Sequence, residues 1–140
     1  MTLHFCTLQN RDYLSYLSLI RDFRNTTFTE EQFCSTLDTM VKTSDIIVIE
    51  EEGELIACGT LLYETKLIHN ISKVGHIEDV CIKKEHRGKQ LGKQLIAYMT
   101  ELAKEKGCYK VTLYCEDDNV EFYKKCNFTC VGQQLTMDFR

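Results

Sequence analysis

The residues with the clearest chemical potential are Arg87-Gly-Lys-Gln-Leu-Gly92, set between a β-branched apolar run and the longest amphipathic stretch of the chain. Glycines in such a place let backbone approach a ligand closely. The free amides at the start of the following helix, with the positive end of its dipole, favour phosphate oxygens. Arg87 and Lys89 add positive charge, so the segment reads as an anion cradle. It is not a nucleoside-triphosphate loop, because the Gly-x-x-x-x-Gly-Lys-Ser/Thr spacing is absent, nor a dinucleotide fingerprint, because Gly-x-Gly-x-x-Gly is absent. Upstream, Glu78 and Asp79 are adjacent carboxylates in a strand-like run, and alternation predicts that they point to opposite faces of a sheet. Downstream, Phe122 and Tyr123 lie on a short amphipathic segment and, taken alone, read as a core pair.

Positioning these groups takes a series of short elements. Leu3 to Leu8 reads as an edge strand, and Tyr13, Tyr16, Leu17, Ile20 and Phe23 recur at helical spacing over about Asp12 to Phe23. Thr29-Glu-Glu-Gln32 has the form of a capping box, opening a helix whose buried stripe is Phe33, Leu37, Met40 and Val41. Ile46 to Ile49 and Leu55 to Tyr63 form a hairpin about the Glu50 to Gly53 turn. Thr65 to Lys73 reads as an exposed loop and Val74 to Ile82 as a further strand. Leu91, Leu95, Met99 and Leu102 line one face of a helix predicted over Gly88 to Lys106, closed by Lys106-Gly107. Tyr109 to Tyr114 is a strand, Asn119 to Cys126 a short helix and Thr129 to Phe139 a last strand. The order predicts an α/β (α+β) domain over residues 1–140, with a mixed central sheet and flanking helices.

Composition narrows the function classes. Seventeen Lys and Arg against 21 Asp and Glu give a formal charge of −4 and a pI near 5.6, so no global positive field draws the chain to nucleic acid or to an anionic membrane. The longest apolar stretch, Leu55 to Tyr63, is about half of what a spanning helix needs, and the polar start Met1 to Thr7 lacks a signal peptide's layout. A cytoplasmic protein is the expectation. Eight cysteines occur with no Cys-x-x-Cys pair, and several sit inside apolar runs, so they read as reduced structural thiols rather than as disulfides or metal ligands.

Arg87-Gly-Lys-Gln-Leu-Gly92 fits the Arg/Gln-x-x-Gly-x-Gly/Ala signature of the GNAT N-acetyltransferase superfamily, which the chain resembles. Within it, His76-Ile-Glu-Asp-Val80, Gly107-Cys-Tyr-Lys-Val-Thr-Leu113 and Asn119-Val-Glu-Phe-Tyr-Lys-Lys-Cys126 look very like the glucosamine-6-phosphate N-acetyltransferases, and the likeness spans Lys66 to Phe128. The resemblance implies a GNAT fold with a splayed strand pair and acetyl-CoA as co-substrate, with no metal. Val80, Cys81 and Ile82 would lie along the pantetheine arm, and the amides of Arg87, Gly88, Lys89, Gln90, Leu91 and Gly92 would hold the pyrophosphate. Asn119 and Tyr123 would stand near the thioester, the Tyr123 phenol giving a proton to the leaving thiolate, since its ordinary pKa near 10 keeps it protonated at neutral pH.

On the acceptor side, the resemblance places Glu78 and Asp79 at the sugar amine and hydroxyls. It gives Lys66, His69, Tyr109 and Lys110 to the sugar phosphate, the last two from the second subunit of a homodimer. The implied reaction is direct acetyl transfer in a ternary complex to glucosamine 6-phosphate, towards UDP-N-acetylglucosamine. Two positions depart from the pattern. Tyr114 stands where relatives carry an acid, and Asp138 stands where they carry a phosphate-binding Arg, leaving Arg24 or Arg140 to take that place. Another amine substrate, or a non-catalytic acyl-CoA-binding module, are the rival expectations.

Overall fold

The computed structural model describes residues 2–140 and builds one five-stranded sheet in the order β1-β2-β3-β4-β5. β1 (His4–Thr7), β2 (Ser44–Glu51), β3 (Glu54–Lys66) and β4 (Ser72–Ile82) are successive antiparallel neighbours; β5 (Lys110–Leu113) joins β4 in parallel. The sheet is therefore mixed, and the parallel step needs a crossover, which the chain makes through α4 (Leu91–Glu105). α1 (Tyr13–Arg21) and α2 (Glu30–Met40) precede the β2–β3 hairpin, and α5 (Val120–Lys125) follows β5.

Local chemistry explains each boundary. The Thr29 hydroxyl accepts from the Gln32 amide at 3.1 Å while the Thr29 amide donates to Gln32 Oε1 at 2.9 Å, which closes the expected capping box at the start of α2. The β2–β3 turn places Glu52 (φ 51°) and Gly53 (φ 79°) in the left-handed region, as a two-residue hairpin matched to strand twist requires. α4 buries Leu91, Leu95, Ile96, Met99 and Ala103 on one stripe, and its last turn ends at Gly107 with φ 86°.

The core has two halves, one on each side of the sheet. α4 covers Ile47, Ile49, Ala57, Leu61 and Ile77; α1 and α2 cover Val48, Cys58 and Cys81 with Leu19, Phe33 and Leu37. The same strands feed both halves because successive side chains alternate.

Four features differ from the sequence expectation. Thr65 to Lys73 is not an open loop: β3 and β4 continue to a Lys66–Ser72 pair, and the turn between them, α3 (Ile68–Ile71), holds His69, Asn70 and Ile71 at φ near 60°. The long helix begins at Leu91, not Gly88, because Gly88 and Gln90 have positive φ and the chain cannot be helical there. Val41 is exposed rather than part of the α2 stripe, since the helix ends at Met40 and Val41 caps it. Thr129 to Phe139 runs unpaired in this chain, with no strand beside it in its own sheet.

The most consequential irregularity lies in β4. Cys58 pairs with Cys81 and Thr60 with Glu78, so Asp79 and Val80 together oppose the single residue Gly59. Asp79 takes φ 52° to make this bulge. The extra residue reverses the alternation: Ile77, Val80 and Ile82 face α4, whereas Cys81 turns to the α1 side. Gly59 is required opposite it, since a Cβ there would stand 2.8 Å from the Sδ of fully buried Met99. Gly59→Ala is expected to destabilise the fold by about 1–3 kcal/mol through overpacking, measured as a lower urea midpoint at unchanged m-value.

Candidate active site

Pairing between β4 and β5 runs only from Val74–Lys110 to Ile77–Leu113. Beyond Ile77, β4 runs on past the end of β5 at Leu113, so Glu78 to Ile82 have no β5 neighbour and the backbone of β4 is open on that side. α5 faces this opening across a cleft of about 430 Å³. Val80 and Ile82 form one wall, Asn119, Phe122 and Tyr123 the opposite one, and the Arg87 to Gly92 loop closes one end. The expected cofactor residues are thus gathered from segments up to 43 positions apart, from Val80 to Tyr123, with two exceptions. Lys89 is exposed outside the cleft, and the Cys81 side chain lies on the other side of the sheet, its thiol donating to the Leu19 carbonyl at 3.7 Å. The bulge is the reason Cys81 turns away, and it removes that thiol as a nucleophile in the cleft.

The loop at the closed end is shaped for an anion. Gly88 at φ 82° and Gln90 at φ 65° turn the chain so that the first amides of α4, unpaired within the helix, face the cleft end. The Arg87 guanidinium is tethered by its Nε to the Ile82 carbonyl at 3.2 Å. His86, Lys93 and Lys125 also line the cleft, so the field is positive where the amides converge. Gly92 sits against α5: a Cβ there would come within 3.1 Å of Phe122 Cζ, so glycine lets helix and cleft wall approach. These features fit the pyrophosphate and cysteamine arm of an acyl-CoA.

Tyr123 is half buried, edge-on to Phe122 at 4.9 Å and to Phe128 at 5.9 Å between ring centroids. Burial, with the Cys115 and Cys126 thiols nearby, pushes its phenol above the ordinary value, so it stays protonated through neutral and mildly alkaline pH. Glu78 is exposed on the α1 side of the sheet, and Asp79 is exposed at the bulge, next in sequence to the cleft residue Val80.

The other expected acceptor residues form a second group, on the hairpin end away from α4. His69 and Tyr109 lie tilted against each other within one chain, ring centroids 5.4 Å apart, Lys110 stands 5.5 Å from the Tyr109 ring centroid, and Lys66 pairs with Glu64 at 3.1 Å. The register puts Lys66, Glu64, His76, Glu78 and Lys110 on one face of the sheet, beyond the end of α1 and α2. Asp138 is paired with Arg140 at 2.9 Å in the exposed tail. Among the described residues no three His, Cys, Asp or Glu side chains converge to hold a metal ion, no helix is long and apolar enough to cross a membrane, and the eight cysteines are free thiols.

Sequence reasoning missed Phe23, His86, Lys93 and Phe122 as cleft residues and Glu64 with His76 as an acceptor-face pair. Phe23 carries no local signal, because the α1–α2 connection reaches the cleft only through tertiary packing. Glu64 and His76 are twelve positions apart and become neighbours only once the hairpin register is known.

A mixed sheet that opens between two parallel strands, beside a glycine loop that starts a helix, is the architecture of an acyl-CoA-dependent N-acyltransferase. Residues 8–128 match the model of the Acetyltransferase (GNAT) family, and the chain belongs to that family, whose members use acetyl-CoA as co-substrate. It is 36% identical over 127 residues to glucosamine 6-phosphate N-acetyltransferase 1 of Dictyostelium discoideum, covering 87% of this chain and 81% of that protein. It is 42% identical over 93 residues to glucosamine 6-phosphate N-acetyltransferase of Candida albicans, covering 66% and 62%. The crystal structure of glucosamine-6-phosphate N-acetyltransferase from Arabidopsis thaliana superposes over the whole of both chains with a TM-score of 0.94 at 33% identity. The likeness read from Lys66 to Phe128 thus extends over nearly the whole chain.

Proposed function

We propose that residues 1–140 act as one acetyltransferase domain that moves the acetyl group of acetyl-CoA to the amine of D-glucosamine 6-phosphate. The products are N-acetyl-D-glucosamine 6-phosphate and CoA, a step towards UDP-N-acetylglucosamine. The observation that carries this reading is the pairing of two sites on one strand. Where β4 leaves β5 it borders an anion-cradled cleft, and on its other face it carries a carboxylate followed by cations. The relatives that share most of the chain's length bear this activity in their names.

The residues divide the work as follows. The α4 amides with Arg87 and Lys93 hold the pyrophosphate, and the backbone of Val80 to Ile82 pairs with the pantetheine arm and meets charge developing on the thioester oxygen. Glu78 and Asp79 attract the acceptor ammonium and help it shed a proton, because attack needs a free lone pair. The amine nitrogen bonds to the acetyl carbon as the carbon–sulfur bond breaks. Tyr123, kept neutral by its burial, gives its proton to the departing thiolate. Lys66, His69, Tyr109 and Lys110 serve the phosphate. They stand in for the arginine that Asp138 replaces, since Arg140 is held by Asp138 itself.

A homodimer completes the site in this reading. Val131, Leu135, Met137 and Phe139 are apolar at alternate positions and 77–89% exposed, and β5 has an open edge, so the tail of one copy supplies the strand that the sheet of the other lacks. Tyr109 and Lys110 already stand at the hairpin of their own chain, not a partner's, and the incoming tail closes the edge beside them. Eight free thiols suit a cytoplasmic setting.

Four outcomes are expected. Thiol release from acetyl-CoA should be rapid with glucosamine 6-phosphate and at least tenfold slower, by kcat/KM, with unphosphorylated glucosamine or a lysine peptide; equal rates with the peptide would assign another amine, and acetyl-CoA binding without turnover a non-catalytic module. Tyr123→Phe should lower kcat by about 10²–10⁴ while leaving acetyl-CoA affinity nearly unchanged. Because burial raises the phenol's pKa, any loss of wild-type rate from Tyr123 ionisation should have its midpoint above the ordinary phenol value near 10, read from a kcat–pH profile. The double variant Leu135→Asp with Phe139→Asp should sediment as a monomer where the wild-type chain sediments as a dimer, with the acceptor KM raised.

A further inference from the structure

The acceptor face contains one polar device that the reading above leaves unused. Glu64 on β3 accepts from two groups at once: Lys66 Nζ at 3.1 Å and His76 Nε2 at 2.9 Å. These bonds hold the Glu64 carboxyl below its ordinary range, His76 contributing first and Lys66 second. The ring of His76 is fixed through Nε2, and its Nδ1 has no partner among the described residues.

Register shows what this ring adjoins. His76 is two residues from Glu78 on the same face of β4, with Thr112 of β5 directly opposite it; Val74, two residues further, lies opposite Lys110. Passing outward from the bulge, the face therefore presents the Glu78 carboxylate, then the His76 imidazole beside the Thr112 hydroxyl, then the Lys110 cation across Val74 from a Glu64 already bound to Lys66 and His76. The row covers roughly 13 Å at about 3.3 Å per residue, a distance that inward-leaning side chains shorten. An acceptor matching that order carries an ammonium at one end, neutral hydroxyls in the middle and an anion at the other end.

We propose that His76 is an acceptor-binding residue that reads the ring hydroxyls between amine and phosphate, and that Glu64 is the positioning residue that sets its ring. This inference rests on the phosphosugar reading and adds to it the group that selects a sugar over any other phosphorylated amine. A site built to hydrogen-bond a hydroxyl discriminates strongly, because its polar atoms stay unpaired when the hydroxyl is missing.

The test compares His76→Leu, Glu64→Ala and Glu64→Gln with the wild-type chain in steady-state kinetics, with thermal melts confirming that each is folded. Glu64→Gln and Glu64→Ala both lose the ion pair with Lys66, but only Glu64→Ala loses the acceptor atom that holds His76. The expected result is an acceptor KM about tenfold higher in His76→Leu and Glu64→Ala, recovery towards wild type in Glu64→Gln, and an unchanged KM for acetyl-CoA. An acceptor KM unaltered in His76→Leu overturns the proposal, as does equal loss in Glu64→Gln and Glu64→Ala for the role of Glu64. A second measurement follows the His76 imidazole by NMR as glucosamine 6-phosphate is added to CoA-loaded protein. A saturating shift in a chain that does not turn over the phosphosugar would sink the catalytic reading and keep the binding one. An unmoved imidazole in a chain that does turn it over would sink the His76 assignment alone.

Discussion

The β4 bulge is the constraint on which the site depends. A regular strand would point Cys81 at α4 with Ile77 and would leave Val80 on the far side of the sheet. By adding Asp79 at positive φ, the chain puts Val80 and Ile82 on the cleft wall while Cys81 stays in the α1 half of the core. A non-glycine residue in the left-handed region costs on the order of 1–3 kcal/mol, and such strain persists where packing over-determines it. Here the packing is visible: Gly59 admits Met99 against the strand, and the Cys58 thiol stands beside the Asp79 carbonyl and hydrogen-bonds Cys81, which with burial pushes Cys58 well above its ordinary pKa.

Beside this irregularity β4 runs on past the end of β5. The two strands are paired along their whole common length, Val74 to Ile77 with Lys110 to Leu113, and the pairing ends one residue before the carboxylates. α4 is anchored to the sheet by Leu91, Leu95 and Met99, and Val111 and Leu113 of β5 pack on the same cluster. The opening is the stretch of β4 beyond the end of β5, and its floor is unpaired backbone that an extended amide-containing arm can satisfy.

How much of this was legible in the sequence depends on the range of the interactions involved. The Thr29 capping box, the Glu52-Gly53 turn region and the α4 stripe are local patterns, and the structure contains each of them. The Arg87 to Gly92 signature was equally legible, although the start of α4 was read three residues early, because nothing in the composition of Gly88-Lys-Gln90 reveals that Gln90 adopts φ 65°. What could not be read was register. Strict alternation sets Glu78 and Asp79 on opposite faces, and the family resemblance sets Val80, Cys81 and Ile82 along the cofactor without saying which way the Cys81 side chain turns. The one-residue bulge that changes this leaves no mark in residue type, since Asp tolerates positive φ but does not require it. Glu64 with His76, and Phe23 in the cleft, are long-range in the same sense.

The tail poses the opposite problem: its pattern was legible and its partner was not. Alternating Val131, Leu135, Met137 and Phe139 write a strand, and the chain offers them no place in its own sheet. An extended segment with one apolar face is unstable in water unless a sheet edge accepts it, and β5 ends the sheet with its outer edge free. Propensity alone therefore specifies conformation without specifying whose sheet supplies the hydrogen bonds. The acceptor face lies at this same edge, on β5 and the β3–β4 hairpin beside it that carries Lys66 and His69. In the proposed homodimer, sharing of strands between copies and completion of the phosphate site would be one requirement, because whatever covers the free edge of β5 lies beside the face on which Lys110, His76 and Glu78 stand.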